Sequence, residues 1–153
     1  QDYWVGLRSN DVLVASDWGT AYYGHFSGAG DGDRPLVVSY ASSPGAELVF
    51  SDPPPAAPST ATLTEGCFRQ VEYAGVLRGT NHRGAAEALI DFLLTRAFQE
   101  DVPGSMFVYP VRPDVALPEW LDAPTPGSLS MEPGRIEANR DRWLAEWTQL
   151  VLR

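Results

Sequence analysis

The 153-residue sequence contains no lysine: all 11 basic side chains are arginine, set against 20 aspartates and glutamates. The formal net charge of −9 disfavours nucleic acid, whose phosphates would be repelled. It suits a cationic or neutral ligand, or simply an acidic, solubilising surface. There is one cysteine, Cys67, so no disulfide can close within the sequence. In an oxidising compartment its partner would lie in a segment outside these residues; otherwise Cys67 is a small packing residue. No apolar run approaches the ~20 residues of a membrane-spanning helix. The sequence opens Gln1-Asp2-Tyr3-Trp4, with no basic n-region and no apolar h-region. A signal peptide, if the protein has one, is therefore not in this stretch.

Catalytic signatures are also missing. There is no G-x-S-x-G elbow, no H-E-x-x-H and no Walker loop. Cys67 has no C-x-x-C partner, which leaves thiol redox chemistry and zinc without support. His25 and His82 neighbour no nucleophile motif. Carboxylates are plentiful, but an acidic chain offers pairs by chance. The expectation is a protein that is not an enzyme, with no cofactor and no metal site. The run Gly28-Ala29-Gly30-Asp31-Gly32-Asp33 has the glycines of a dinucleotide fingerprint, yet it follows a helix rather than a strand, the wrong context for a phosphate cradle. Its aspartates are weak candidates for calcium.

What is present reads as a globular chain: 44% hydrophobic, 20% charged and long enough to bury a core. Residues 2–9 read as a helix end. Val12–Ala15 is a short apolar strand, after which Ser16 and Asp17 offer N-cap oxygens for a helix from Trp18 to about Phe26. Leu36–Tyr40 is a second strand. Ser42-Ser43-Pro44 has a hydroxyl cap and an early proline, predicting a short helix to about Phe50. Residues 52–60 are a Pro-rich connection, and Phe68–Leu77 alternates as a third strand. Arg83–Ala97 repeats apolar residues at helical spacing (Ala86, Leu89, Ile90, Leu93, Leu94, Ala97), with a further turn over 98–100 that Pro103-Gly104 should break. Phe107–Val111 is extended and 112–130 irregular. A last helix spans about Pro133 to Leu152, with Ile136, Trp143, Leu144, Trp147, Leu150 and Val151 on its inner stripe. Alternating strands and helices predict an α/β fold with a mainly parallel sheet. Ligands sit beyond the carboxyl ends of such strands, which selects the loops Ser16-Asp17-Trp18 and Ser39-Tyr40-Ala41-Ser42.

Several segments, in order, resemble the thiamine-binding proteins of ABC importers. They are Ser16-Asp17-Trp18-Gly19-Thr20-Ala21-Tyr22, Leu36-Val37-Val38-Ser39-Tyr40-Ala41-Ser42-Ser43-Pro44 and Phe68-Arg69-Gln70-Val71-Glu72-Tyr73-Ala74-Gly75. The similarity continues through Ala88–Leu94, Phe98–Pro103, Val108-Tyr109-Pro110-Val111 and the Asn139–Trp147 helix. The Ser-Tyr-x-x-Ser-Pro and Tyr-Pro-Val segments are the more specific ones.

The resemblance implies a partial type II periplasmic-binding-protein-like fold, the second half of a two-lobed molecule. Residues 1–68 would form part of the second lobe, 69–130 part of the first lobe after the hinge crossing, and 131–153 a closing helix. It implies an extracytoplasmic substrate-binding subunit, lipid-anchored in its full length, that binds thiamine or its phosphate esters. Its partners would be an ABC permease in the membrane and the missing amino-terminal half of the same protein. Lacking that half, the chain should leave sheet edges and apolar surface uncovered, and so self-associate or travel with its complement.

Ligand-binding residues implied here are Trp18, Tyr40 and Phe107, which offer flat faces to a pyrimidine and a thiazolium cation, with Ser39 and Ser42 as hydrogen-bonding groups. Capping chemistry is the plainer account of the two serines. Where the family pattern can carry an aromatic after Ser-Pro-x, this chain has Ala46; where it can carry Trp before Tyr-Pro-Val, it has Phe107. Phe keeps a π-face and loses the indole donor. Thiamine, a phosphate ester of it and another aromatic cation all stay open as ligands. A different solute, such as a polyamine or metal chelate, and an enzyme on the same bilobal fold are the competing functions.

Overall fold

A computed structural model describes residues 1–63, 65–121 and 128–152. The elements in chain order are α1 (Asp2–Ser9), a π-helical turn (Thr20–His25), α2 (Ser43–Phe50), α3 (Arg83–Leu93), α4 (Arg96–Met106) and α5 (Pro133–Val151). The chain divides into two compact units, one of residues 1–39 with 129–153, the other of residues 40–128.

In the first unit α1 packs along α5. The contact is aromatic: the Trp4 ring stands edge-on to Trp147, with centroids 6.4 Å apart. Helix α5 starts where Glu132 accepts from the amides of Gly134 and Arg135 at 2.9 and 2.8 Å, with Pro133 in the first turn, where its missing N–H costs nothing. Ile136, Trp143, Trp147, Leu150 and Val151 turn inward, as their spacing predicts. Leu144 does not: it is 49% exposed, because it lies at the flank of a stripe too narrow to cover it. The glycine run is a packing device. A Cβ on Gly30 would lie 2.0 Å from the Tyr23 carbonyl, and one on Gly32 2.0 Å from the His25 carbonyl. The loop folds back on the end of the π-helical turn and closes through Ser27 N–H to Arg34 O and Arg34 N–H to His25 O, both at 2.9 Å.

In the second unit the apolar run beginning at Arg83 does not form one helix to Ala97. It breaks at Leu94-Thr95, where the Thr95 hydroxyl accepts from Phe98 N–H at 3.3 Å and starts α4. Nor does Pro103 end that helix. The proline sits inside α4 with its ring fully buried, and that burial offsets the lost amide donor. Helix α4 ends only at Phe107, in the left-handed region at φ 59°. Gln99, 7% exposed, ties the unit together: its Nε2 donates to Leu93 O at 2.8 Å and its Oε1 accepts from Val111 N–H at 2.7 Å. Val102, Val115 and Leu121 are also buried in this unit. Helix α2 begins as predicted near Ser42, but the Ser42 side chain makes no cap bond. Its backbone is already helical (φ −79°, ψ −10°), whereas a capping hydroxyl works from extended geometry.

The expected sheet is the main departure. Among the described residues no strand forms, and Val12–Ala15, Leu36–Tyr40 and Phe68–Leu77 run without a ladder. Strand amides and carbonyls are satisfied only sideways, by a neighbouring strand. Phe26 and Arg34 make an isolated parallel bridge. Val38, Tyr73 and Leu77, apolar residues of the expected strands, stand largely exposed. Of the irregular stretch 112–130, residues 122–127 lie outside the described residues.

Candidate functional site

The π-helical turn builds the best-formed aromatic surface of the first unit. Asp17 caps it, as predicted: its carboxylate accepts from Thr20 N–H and Thr20 Oγ1–H, each at 2.8 Å, and from Ser16 Oγ–H at 2.7 Å. These donors, the Ser16 hydroxyl first, hold the Asp17 carboxyl at about 2, below its ordinary 3.8. The turn closes i→i+5, seen in Phe26 N–H to Ala21 O at 3.1 Å. That wider closure brings both the i+4 and the i+5 side chain round to Trp18. Tyr22 stacks on the indole at 4.9 Å and 22°, and Tyr23 meets it edge-on at 5.5 Å and 80°. Tyr22 is the anchor, 4% exposed, with Phe26 tilted against it at 5.6 Å. Trp18 keeps 40% of its surface open.

Ser39 joins this cluster across 21 residues of chain. The Trp18 Nε1–H donates to Ser39 Oγ at 2.9 Å. Two of the five sequence-predicted site residues, Trp18 and Ser39, are thus in direct contact.

The other three lie in the second unit. Tyr40 opens a turn, its carbonyl accepting from Ser43 N–H at 3.0 Å, and its side chain is 62% exposed. Ser42, half-buried, precedes α2. Phe107 is half-buried among rings, with Phe50 edge-on at 4.9 Å and Trp120 tilted at 6.4 Å. Gly45 admits this arrangement: a Cβ there would sit 2.0 Å from the Trp120 carbonyl. A cavity of about 320 Å³ lies beside Trp120, Pro103 and the Arg96–Glu100 ion pair.

Sequence reasoning missed Tyr22, Gln99 and Trp120. Tyr22 carried a signal, its i+4 spacing from Trp18. Gln99 carried one too, a polar residue on the helix face of Val102 and Pro103, three and four positions on. Nothing local marks Trp120, whose ring meets Phe107 through tertiary packing. No group of three or more His, Cys, Asp or Glu side chains that could hold a metal ion occurs among the described residues. No helix described is long and apolar enough to cross a membrane.

Comparison with curated proteins bears out the resemblance drawn from the motifs. The chain is 31% identical over 152 residues to a thiamine-binding periplasmic protein of Salmonella typhimurium, a match covering 98% of this chain and 44% of that protein. It is 30% identical, with the same coverage of both chains, to the thiamine-binding periplasmic protein of Escherichia coli. The chain therefore spans less than half the length of these relatives. No protein-family model matches the chain, and no solved structure does.

Proposed function

We propose that this chain is part of an extracytoplasmic substrate-binding subunit of an ABC importer, and that it binds thiamine or a thiamine phosphate rather than catalysing a reaction. The observation that carries this is the match to two thiamine-binding periplasmic proteins along 98% of the chain. The geometry supports it: a half-open indole, backed by Tyr22, suits a flat cationic ring. In this reading Trp18, Tyr40 and Phe107 supply ring faces, and Ser39 and Ser42 supply polar groups. The lobes are those expected from the resemblance, 1–68, 69–130 and the closing helix 131–153, in a type II binding-protein fold of α/β class.

The working unit in this reading includes the segment that the relatives carry beyond the matched region. Strands from that segment would pair with Leu36–Tyr40 and Phe68–Leu77, covering the side chains of Val38, Tyr73 and Leu77. Closure of two lobes on the ligand would then present a surface to the membrane permease. A lipid anchor belongs to the full-length protein.

The test is calorimetric titration of the full-length protein with thiamine, thiamine monophosphate, thiamine diphosphate and spermidine. Saturable binding of a thiamine compound, with spermidine silent, is the expected result. Binding of spermidine alone would replace this reading with a polyamine carrier, and turnover of any of these ligands would replace it with an enzyme.

A further inference from the structure

We infer that Ser39 is a positioning residue for the Trp18 ring, an inference that rests on the proposed binding role of Trp18. An indole at a helix start can turn about two side-chain bonds, and packing alone restrains it loosely. Tyr22 lies against one face and Tyr23 meets the ring edge-on. Neither contact is directional enough to stop the indole sliding or rotating in its own plane. The bond from Nε1–H to Ser39 Oγ acts at the ring edge, at 2.9 Å, and adds a directional restraint in the ring plane.

Indole has one donor and no acceptor. With that donor engaged by Ser39, Trp18 meets a ligand through π surface alone. Such a platform favours a flat cation, which the ring quadrupole attracts, over a flat neutral ring that needs a hydrogen bond from its host. Ser39 also ends the segment that leads directly into Tyr40, so the bond sets where that segment finishes relative to the helix start. Because the pair is exposed, water can replace the bond at little cost in folding stability. Its effect therefore falls on orientation.

The experiment compares Ser39→Ala and Ser39→Thr in the full-length protein by three readouts: the Trp18 Nε1–H resonance, thiamine affinity and thermal melting. Trp18→Phe identifies that resonance. In Ser39→Ala the Trp18 Nε1–H should shift and exchange with water roughly three- to tenfold faster. Thiamine affinity should fall by a similar factor, the range expected for losing one modest hydrogen bond, with melting unchanged. Ser39→Thr, which keeps the acceptor oxygen, should restore both. An unmoved Trp18 Nε1–H signal in Ser39→Ala overturns the inference. So does a moved signal with unaltered thiamine affinity. A wild-type protein that binds no thiamine overturns the functional reading and the binding half of the inference with it, while the Nε1–H signal still decides whether Ser39 holds the ring.

Discussion

The two aromatic clusters are held by different physics. Around Trp18, directional bonds do the holding: a carboxylate cap, an i→i+5 closure and an indole N–H bond surround a ring that stays half-open. Around Phe107, ring contacts with Phe50 and Trp120 accompany a left-handed backbone at φ 59°. Phe has no polar atom, so packing alone must place it, and placement by packing requires burial. The first arrangement keeps a fixed ring available to a ligand. The second sets a half-buried ring among other rings, and the polar support is displaced to Gln99, which fastens the segment just beyond.

The largest effect should come from that displaced support. Gln99→Ala removes the partner of the Leu93 carbonyl and of the Val111 amide, both part-buried, at about 0.5–1.5 kcal/mol for each bond, and leaves the space of a nearly buried side chain unfilled. A loss of about 2–4 kcal/mol in denaturant unfolding is expected, together with faster exchange of the Val111 amide. Slow Val111 exchange in that variant would show that packing alone fixes the Tyr109–Val111 segment.

Next come the rings themselves. Trp18→Ala should weaken thiamine binding by about 1–3 kcal/mol, the value of a stacking partner with its cation–π attraction, and should barely change folding stability. Phe107→Ala should lower folding stability by about 1–3 kcal/mol, less than the 3–5 of a fully buried phenylalanine. Calorimetry and melting on both variants measure the contrast. If Phe107→Ala melts like the wild type, the distinction between a ring held by bonds and a ring held by packing collapses.

The smallest effect is the acid response of the cap. The Asp17 carboxyl is held at about 2 when folded and has an ordinary value of 3.8. Since the folded value is the lower, its contribution is fully present above 3.8 and fades as pH falls toward about 2. A carbon-13 titration of the carboxyl should show that low midpoint, and Asp17→Asn should remove this part of the acid response. A midpoint at the ordinary value would mean that the cap bonds are not formed in solution.

The helices were largely legible in the sequence, because helical periodicity is local. Asp17 announced its turn, and α5 announced its inner stripe apart from Leu144. The Thr95 break was not legible, since apolar spacing runs straight through it and a single hydroxyl decides the matter. Pro103 misled for the opposite reason: the local rule forbids it, and tertiary burial of its ring overrides the rule. The predicted strands depend on partners that no local pattern supplies. Of the candidate site residues, Trp18 and Ser39 were each named from the sequence, but the bond between them was not legible, because its ends lie 21 positions apart in the chain.

The i→i+5 closure has a consequence for chain length. It accommodates one more residue than an α-helical turn, and that surplus is what brings Tyr23 beside Trp18. Gly24 is where such a residue could be lost with no side chain removed, in a place where even an added Cβ would meet nothing within 4 Å. A one-residue deletion there would restore α-helical register and leave the Trp18–Tyr22 stack in place. It would move Phe26, the ring beyond the deletion, against Tyr22, so a change in length, with no ring substituted, would be enough to redraw the aromatic surface.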